Sequence, residues 1–441
     1  HIHFTMERKA IYIVALLGIS ILNSCSTTGP SGLFGKRSPH EQYGQKLKNA
    51  GLDKTQLGES WFAASIQSLN KPLKITIPYK EAGYFPAEKI RAVAFSFDVK
   101  RGEKISITLQ KRQSNRFMIY TDLWEVKANN NKKLIAFADT GNNPFSHEID
   151  DDGSYLLRIQ PELLSAGEYT LTITNGPSLA FPIKNGRIGS FWGADRDGGA
   201  RRHEGVDIFA PRRTPALAAA DGTVNRVTTN QLGGKVVFMR PENKNYSLYY
   251  AHLDEQLVTE GERVKTGDTI GLVGNTGNAI STSPHLHFGI YTFGGAINPL
   301  AFINPLRRDA PTIKASLSTL GTSVRNTSTT PIKDGLTATS NIMMNLAPNT
   351  ILEVNSATST SYRVVLPDGR QGFVSGASVN PVGKALRQME ISQAKYLYDG
   401  PDSTAARKSQ LKTGTQVNIL GGFEDFYFVE SGEDSGWVRK N

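Results

Sequence analysis

The chain has 441 residues, a net charge of +10, 39% hydrophobic residues and 20% charged residues. That length implies two to four domains at about 100–200 residues each, and the composition excludes a globally disordered chain. A single cysteine excludes a disulfide framework and any structural zinc site built from several thiolates. The 42 glycines and 21 prolines suit turn-rich β structure better than a helix bundle. The basic balance favours an acidic partner: nucleic acid, anionic lipid or an acidic wall polymer.

At the N-terminal end, Arg8 and Lys9 precede an apolar run over residues 10–22, the pattern of a secretory signal. The run is short of the ~20 apolar residues that a membrane-spanning helix needs. Leu22-Asn23-Ser24-Cys25 resembles the lipobox of bacterial lipoproteins, in which the cysteine carries a diacylglyceryl group and the peptide is cut just before it. The resemblance makes residues 1–25 a lipoprotein signal peptide and Cys25 the lipidation site. It implies a lipoprotein anchored in the cell envelope. Ser26 gives no inner-membrane retention signal, so the expected location is the periplasmic face of the outer membrane. Residues 26–83 begin with a stretch rich in Ser, Thr, Gly, Lys and Gln, and read as a tether off the membrane.

Residues 84–176 alternate with period two. Strands are predicted over residues 93–99, 105–109, 155–159 and 169–173, separated by turn signals at Gly102, Gly153 and Gly167. The spacing suggests a β-sandwich, and residues 152–158 and 167–171 resemble strands of bacterial pre-peptidase sandwich domains. A short linker leads into residues 183–306, where strands are again predicted, near 222–224, 235–239, 246–250 and 269–273. The last part of the chain holds a weak repeat. Residues 349–354 align with 414–419, and each copy ends in Gly-aromatic-Val, at Gly372-Phe373-Val374 and Gly436-Trp437-Val438. These copies, near 315–380 and 388–440, resemble bacterial Src-homology-3-like barrels, which bind peptide or cell-wall ligands. The expected fold class is therefore mainly β and multidomain.

Chemistry concentrates in the middle. Of eight histidines, four fall between His203 and His287, in three clusters: His203-x-x-x-Asp207, Tyr250-Ala251-His252 and His285-Leu286-His287. On strands, residues i and i+2 share a face, as do i and i+4. His203 and Asp207 would then point one way, and His285 and His287 would share a face with Leu286 and Phe288 packed behind. Several imidazoles and one carboxylate suit Zn²⁺, and three protein ligands plus a water is the layout of a catalytic zinc site. A remaining imidazole is free to handle protons. Two imidazoles on one buried face need partners or they cost free energy. Spacing does not decide which of His285 and His287 binds metal.

In order and spacing these clusters resemble the lysostaphin-type zinc metallopeptidases. Asp221-Gly-Thr-Val224, Val264-Lys-Thr-Gly-Asp268, Gly274-Asn-Thr-Gly277 and Asn298-Pro299 extend the likeness over about 120 residues. The resemblance implies an antiparallel β scaffold with a groove above the metal, and a zinc-dependent endopeptidase acting on peptidoglycan. It makes His203, Asp207 and His287 the Zn²⁺ ligands, and His252 and His285 the non-ligating catalytic histidines. Peptidoglycan is the expected partner, along with the membrane through the lipid anchor and other cell-wall hydrolases or division proteins. A non-catalytic wall-binding scaffold that regulates other hydrolases is the alternative, and the complete ligand set argues against it. A lipoyl-type carrier would need a Lys at the 274–277 hairpin tip. No zinc finger, aromatic RNA-binding strand or basic recognition helix supports a nucleic-acid partner. Arg196, Arg201, Arg202, Arg212 and Arg213 either engage substrate carboxylates or solvate a loop. His40 and His147 read as surface residues.

Overall fold

The computed structural model describes residues 37–112 and 118–440. The expected signal peptide, Cys25 and the first part of the expected tether lie outside the described residues. The rest of the tether is not a tether. Residues Pro39–Asn49 form helix α1 and Gln56–Asn70 form helix α2. Helix α1 opens with a capping box: Ser38 Oγ accepts from the Glu41 amide while the Glu41 carboxylate accepts from the Ser38 amide. Its buried stripe is His40, Gly44 and Leu47, and that of α2 includes Gly58, Trp61, Ser65, Ser68 and Leu69. Small and polar residues thus share the inward faces with Leu47, Trp61 and Leu69, which blurs the helical period in a hydrophobicity reading.

The helices cover one face of a β-sandwich built from β1 (Tyr79–Phe85), β2 (Val93–Val99), β3 (Glu103–Lys111), β4 (Ile119–Val126), β5 (Gly153–Pro161) and β6 (Gly167–Pro177), with shorter edge strands. In one sheet β5 lies between β2 and β4; in the other β6 lies between β1 and β3. Phe95, Phe97, Leu157 and Ile159 from the first meet Ile105, Ile107, Leu171 and Ile173 from the second in a single core. Strand β5 is covered on both sides. Tyr155, Leu157 and Ile159 enter the sandwich core, whereas Arg158 and Gln160 lie under the helices. There Arg158 donates to Ser65 Oγ at 2.7 Å and Gln160 to the Trp61 carbonyl at 2.9 Å. His40 is buried, contrary to the surface position expected of it: it stacks on Trp61 and meets Gln160 Oε1 at 2.7 Å.

The chain then enters an antiparallel sheet whose principal strands are β7 (Arg187–Ser190), β8 (Val206–Phe209), β9 (Gly222–Asn230), β10 (Gly234–Pro241), β11 (Tyr246–Gln256), β12 (Thr269–Val273) and β13 (His285–Thr292). Their spatial order is β7-β8-β13-β11-β10-β9, with β12 on the far part of β11. Val206, Ile208, Leu248, Tyr250, Leu286, Phe288 and Ile290 supply its core. The connecting residues are docked rather than free. The amides of Ser178, Leu179 and Ala180 donate to the carbonyls of Gly102, Phe302 and Ala219, and Lys244 pairs with Glu148.

Two small β units end the chain. The first contains β14 (Ile351–Ala357), β15 (Ser361–Val365) and β16 (Gln371–Ser375). The second is a six-stranded sheet that includes β17 (Gln416–Phe423), β18 (Phe426–Ser431) and β19 (Asp434–Arg439). The aligned segments of the repeat fall on equivalent elements, β14 with β17 and β16 with β19. The first unit is stitched to the sandwich, since β14 pairs with β1 through Ala82↔Ala357 and Gly83↔Ser356. Beside that seam Glu81 is 0% exposed and Arg363 1% exposed. The Glu81 carboxylate accepts from Arg363 at 3.1 Å, Tyr79 at 2.7 Å, Tyr169 at 2.6 Å and Ser356 at 2.7 Å. Burial alone would raise its pKa, but the guanidinium and these donors hold it below the usual carboxylate range.

Candidate metal centre

Three of the predicted residues are set by strand register. Asp207 on β8 lies directly across from His287 on β13, and Ala251 on β11 faces His287 from the other side. Leu286 and Phe288 point into the core, so His285 and His287 project together from the opposite face, as the alternation predicts. His203 is not on a common strand with Asp207. It follows a short hairpin of Asp195–Arg196 and Arg201–Arg202, and its amide and carbonyl bond to Ala194 and Gly193. The turn at Gly205 then swings the chain onto β8. A Cβ at Gly205 would sit 2.6 Å from the Phe288 carbonyl and 2.7 Å from the His287 ring, so only glycine allows this approach.

His252 reaches the same face by a different device. On β11, Leu248, Tyr250 and Leu253 all enter the core, so a regular strand would send residue 252 inward. Instead Val237 faces Tyr250 while Lys235 faces Leu253, so three steps on β11 match two on β10. This bulge carries His252, with φ 62°, out of the alternation. Non-glycine backbone in this region costs of order 1–3 kcal/mol and clusters at functional sites. The amide of His252 is held by the Gly233 carbonyl at 2.7 Å.

The atoms expected to ligate converge. His203 Nε2 lies 2.9 Å from Asp207 Oδ1 and 3.0 Å from His287 Nδ1, and His287 Nδ1 lies 3.0 Å from Asp207 Oδ1. Backbone carbonyls fix the tautomers around them. The Nδ1 atoms of His203, His252 and His285 sit 2.8, 2.9 and 2.8 Å from the carbonyls of Phe191, Thr276 and Ser283. A carbonyl only accepts, so each Nδ1 carries a proton, and in the neutral ring the lone pair lies on Nε2. Two imidazole nitrogens and a carboxylate oxygen therefore meet within about one hydrogen-bond length, which requires shared protons or a cation between them. The donor set fits a divalent metal of the kind bound by imidazole and carboxylate. His252 and His285 flank this triangle, with the His252 ring 5.0 Å from His285 and 5.8 Å from His287. His285 Nε2 is 3.9 Å from Asp207 Oδ1.

The electrostatics agree with the geometry. Burial would raise Asp207, but the adjoining His203 and His287 imidazoles outweigh it and hold the carboxyl well below its usual range. Burial lowers His287, against the pull of Asp207. Burial, together with the charges of His287 and His285, pushes His252 down to about 4. Its neutral, proton-accepting form is therefore the stable one near neutrality.

The arginines are mostly spoken for. Arg212 bonds Asp254 at 3.1 Å and also Asn275, Arg213 bonds Asp254 and Glu255 at 2.8 Å, and Arg202 pairs with Asp195. Arg196 donates to Asp207 Oδ2 at 2.7 Å and to Ser190 Oγ at 2.8 Å. Intramolecular pairing, rather than reserve for substrate carboxylates, is what the geometry gives these four. Sequence reasoning missed the carbonyls of Phe191, Thr276 and Ser283, which leave no mark on side-chain identity. It noted Arg196 but not its partner.

Residues 201–299 match the profile of Peptidase family M23. This stretch is an M23 domain. The chain is 45% identical over 104 residues to an uncharacterized metalloprotease of Haemophilus influenzae, covering 23% of this chain and 21% of the relative. It is 44% identical over 102 residues to the peptidoglycan DD-endopeptidase ShyC of Vibrio cholerae, covering 23% of each. The chain thus spans between a fifth and a quarter of the length of these two relatives. The chain also aligns with the catalytic domain of lysostaphin from Staphylococcus simulans at 31% identity, covering 27% of this chain and 92% of that one with a TM-score of 0.25. The five residues predicted for metal binding and catalysis all fall inside the M23 domain.

Proposed function

We propose that the protein is a zinc-dependent endopeptidase that hydrolyses peptide bonds in peptidoglycan cross-links. The observation that carries this reading is the triangle of His203 Nε2, Asp207 Oδ1 and His287 Nδ1, with each pair 2.9–3.0 Å apart. In this reading those three residues hold Zn²⁺, and His252 and His285 stay free of it. Bound there, zinc would polarise the scissile carbonyl and lower the pKa of a water to about 7. His252, neutral and with Nε2 unprotonated, accepts the proton of the attacking water and passes it to the leaving amine. His285, held by the Ser283 carbonyl, borders the triangle and is placed to orient the substrate carbonyl as the oxyanion develops.

The envelope setting belongs to the same proposal. Cys25 would carry the lipid anchor at the periplasmic face of the outer membrane, the terminal β units would act as Src-homology-3-like wall-binding modules, and the +10 charge would favour encounter with an anionic wall. Cell-wall hydrolases and division proteins are the expected neighbours there. Digestion of purified sacculi with the wild type and with His287→Ala tests the catalytic core. Soluble muropeptides are expected from the wild type alone. No release by zinc-replete wild type contradicts the proposal and leaves a wall-binding scaffold.

A further inference from the structure

We propose that Arg196 is a positioning residue for the metal centre, fixing Asp207 so that a single carboxylate oxygen faces the cation. The inference rests on the metal-binding reading above. Asp207 divides its two oxygens cleanly. Oδ1 meets His203 Nε2 at 2.9 Å and His287 Nδ1 at 3.0 Å, while Oδ2 accepts from Arg196 Nη2 at 2.7 Å. Arg196 is held in turn, since the same nitrogen lies 2.8 Å from Ser190 Oγ. Ser190 Oγ is also 3.4 Å from His203 Nδ1. One short chain of contacts therefore ties Asp207 and His203 to one another behind the ligating atoms.

Arg196 reaches this position from outside the sheet. It stands on the exposed hairpin in which Asp195 pairs with Arg202 and Arg196 with Arg201, yet its side chain is only 31% exposed. Two effects of the guanidinium oppose each other. Its positive charge repels a cation, which would weaken metal binding. Its hydrogen bond stops the carboxylate from rotating to offer both oxygens or none, which strengthens binding. Repulsion is damped because the side chain borders solvent, whereas outer partners that orient a ligand are typically worth 10–100-fold in metal affinity. Orientation therefore wins, and removing Arg196 loosens the metal despite removing a like charge.

The experiment measures zinc affinity of the full chain, stripped of metal and titrated in competition with a chromophoric chelator. Wild type, Arg196→Met, Arg196→Lys and Ser190→Ala are compared, with circular dichroism to confirm folding. Cobalt(II) absorption gives a second readout, because band intensity reports coordination number. Arg196→Met is expected to lose 10–100-fold in zinc affinity and to show a weaker cobalt band as the second oxygen swings in. Arg196→Lys, which keeps the charge and a donor, should recover part of the affinity. Ser190→Ala, the milder change, should lose a smaller factor. Zinc affinity in Arg196→Met equal to or above wild type, with an unchanged cobalt spectrum, overturns the inference while the metal reading stands. A wild type that holds no zinc overturns the metal reading and this inference with it.

Discussion

At the residue scale, the account turns on how three strands and one turn bring four imidazoles and a carboxylate to one face. The His285/His287 pairing was legible because a strand alternates and Leu286 and Phe288 are plainly core. His252 was legible only as part of a cluster. Its orientation depends on a bulge that shifts the strand out of phase between Tyr250 and Leu253, and a register shift cannot be read from one strand's sequence. Gly205 carries a sharp expectation. Gly205→Ala would push a methyl to within 2.7 Å of the His287 ring, so zinc content and activity should fall together, activity by about 10²-fold. Normal zinc stoichiometry in a folded Gly205→Ala protein would show that the close approach is unimportant. His252→Ala, by contrast, should keep its zinc and lose roughly 10²–10⁴-fold in turnover. Metal analysis beside the muropeptide assay separates these two modes of failure.

At the element scale, the helical pair over residues 39–70 is the main departure from the sequence reading. Its inward faces mix polar with apolar residues because β5 presents Arg158 and Gln160 to it, so Ser65, His40 and the Trp61 backbone meet them beside the buried Leu47, Trp61 and Leu69. The capping box at Ser38–Glu41 was the signal available in the sequence for the start of α1. His40 makes this packing pH-sensitive. Burial first, then the charge of Arg158, pushes its pKa from 6.5 to about 3. The folded state therefore holds His40 neutral, while the unfolded chain takes up a proton below about pH 6.5. Its contribution is fully present above that pH and is lost as the pH falls from about 6.5 towards 3, by about 1.4 kcal/mol per unit once well below 6.5. Urea unfolding at pH 7 and pH 5 should show this loss in the wild type and a smaller one in His40→Gln. Equal pH dependence in both proteins would remove His40 as the cause.

At the scale of the whole molecule, the predicted string of modules is partly fused. The boundary near residue 84 falls inside β1, and β1 pairs with β14 from the far end of the chain. No local pattern could announce a contact between residues 81 and 363. What the sequence does carry is the pair of oddities, a Glu and an Arg on otherwise buried strands. Arg363→Met should cost about 3–5 kcal/mol, because it strands the Glu81 charge in the interior. Adding Glu81→Gln should restore much of the loss, and a calorimetric scan of both proteins checks it. Among the described residues, contacts on this side include Lys244 of the M23 domain with Glu148 of the sandwich, and Phe302 just beyond the domain against Gly102. Along β11 and β13 the 246↔292 end lies nearest them, remote from Ala251↔His287. The full-length chain should therefore act without removal of its sandwich. The deciding measurement is mass spectrometry of muropeptides released from purified sacculi by the full-length protein, zinc-loaded and chelator-stripped. The account predicts that cross-linked species give way to uncross-linked ones with the zinc-loaded protein alone. Intact cross-links under both conditions, or equal cleavage by the stripped protein, would contradict it.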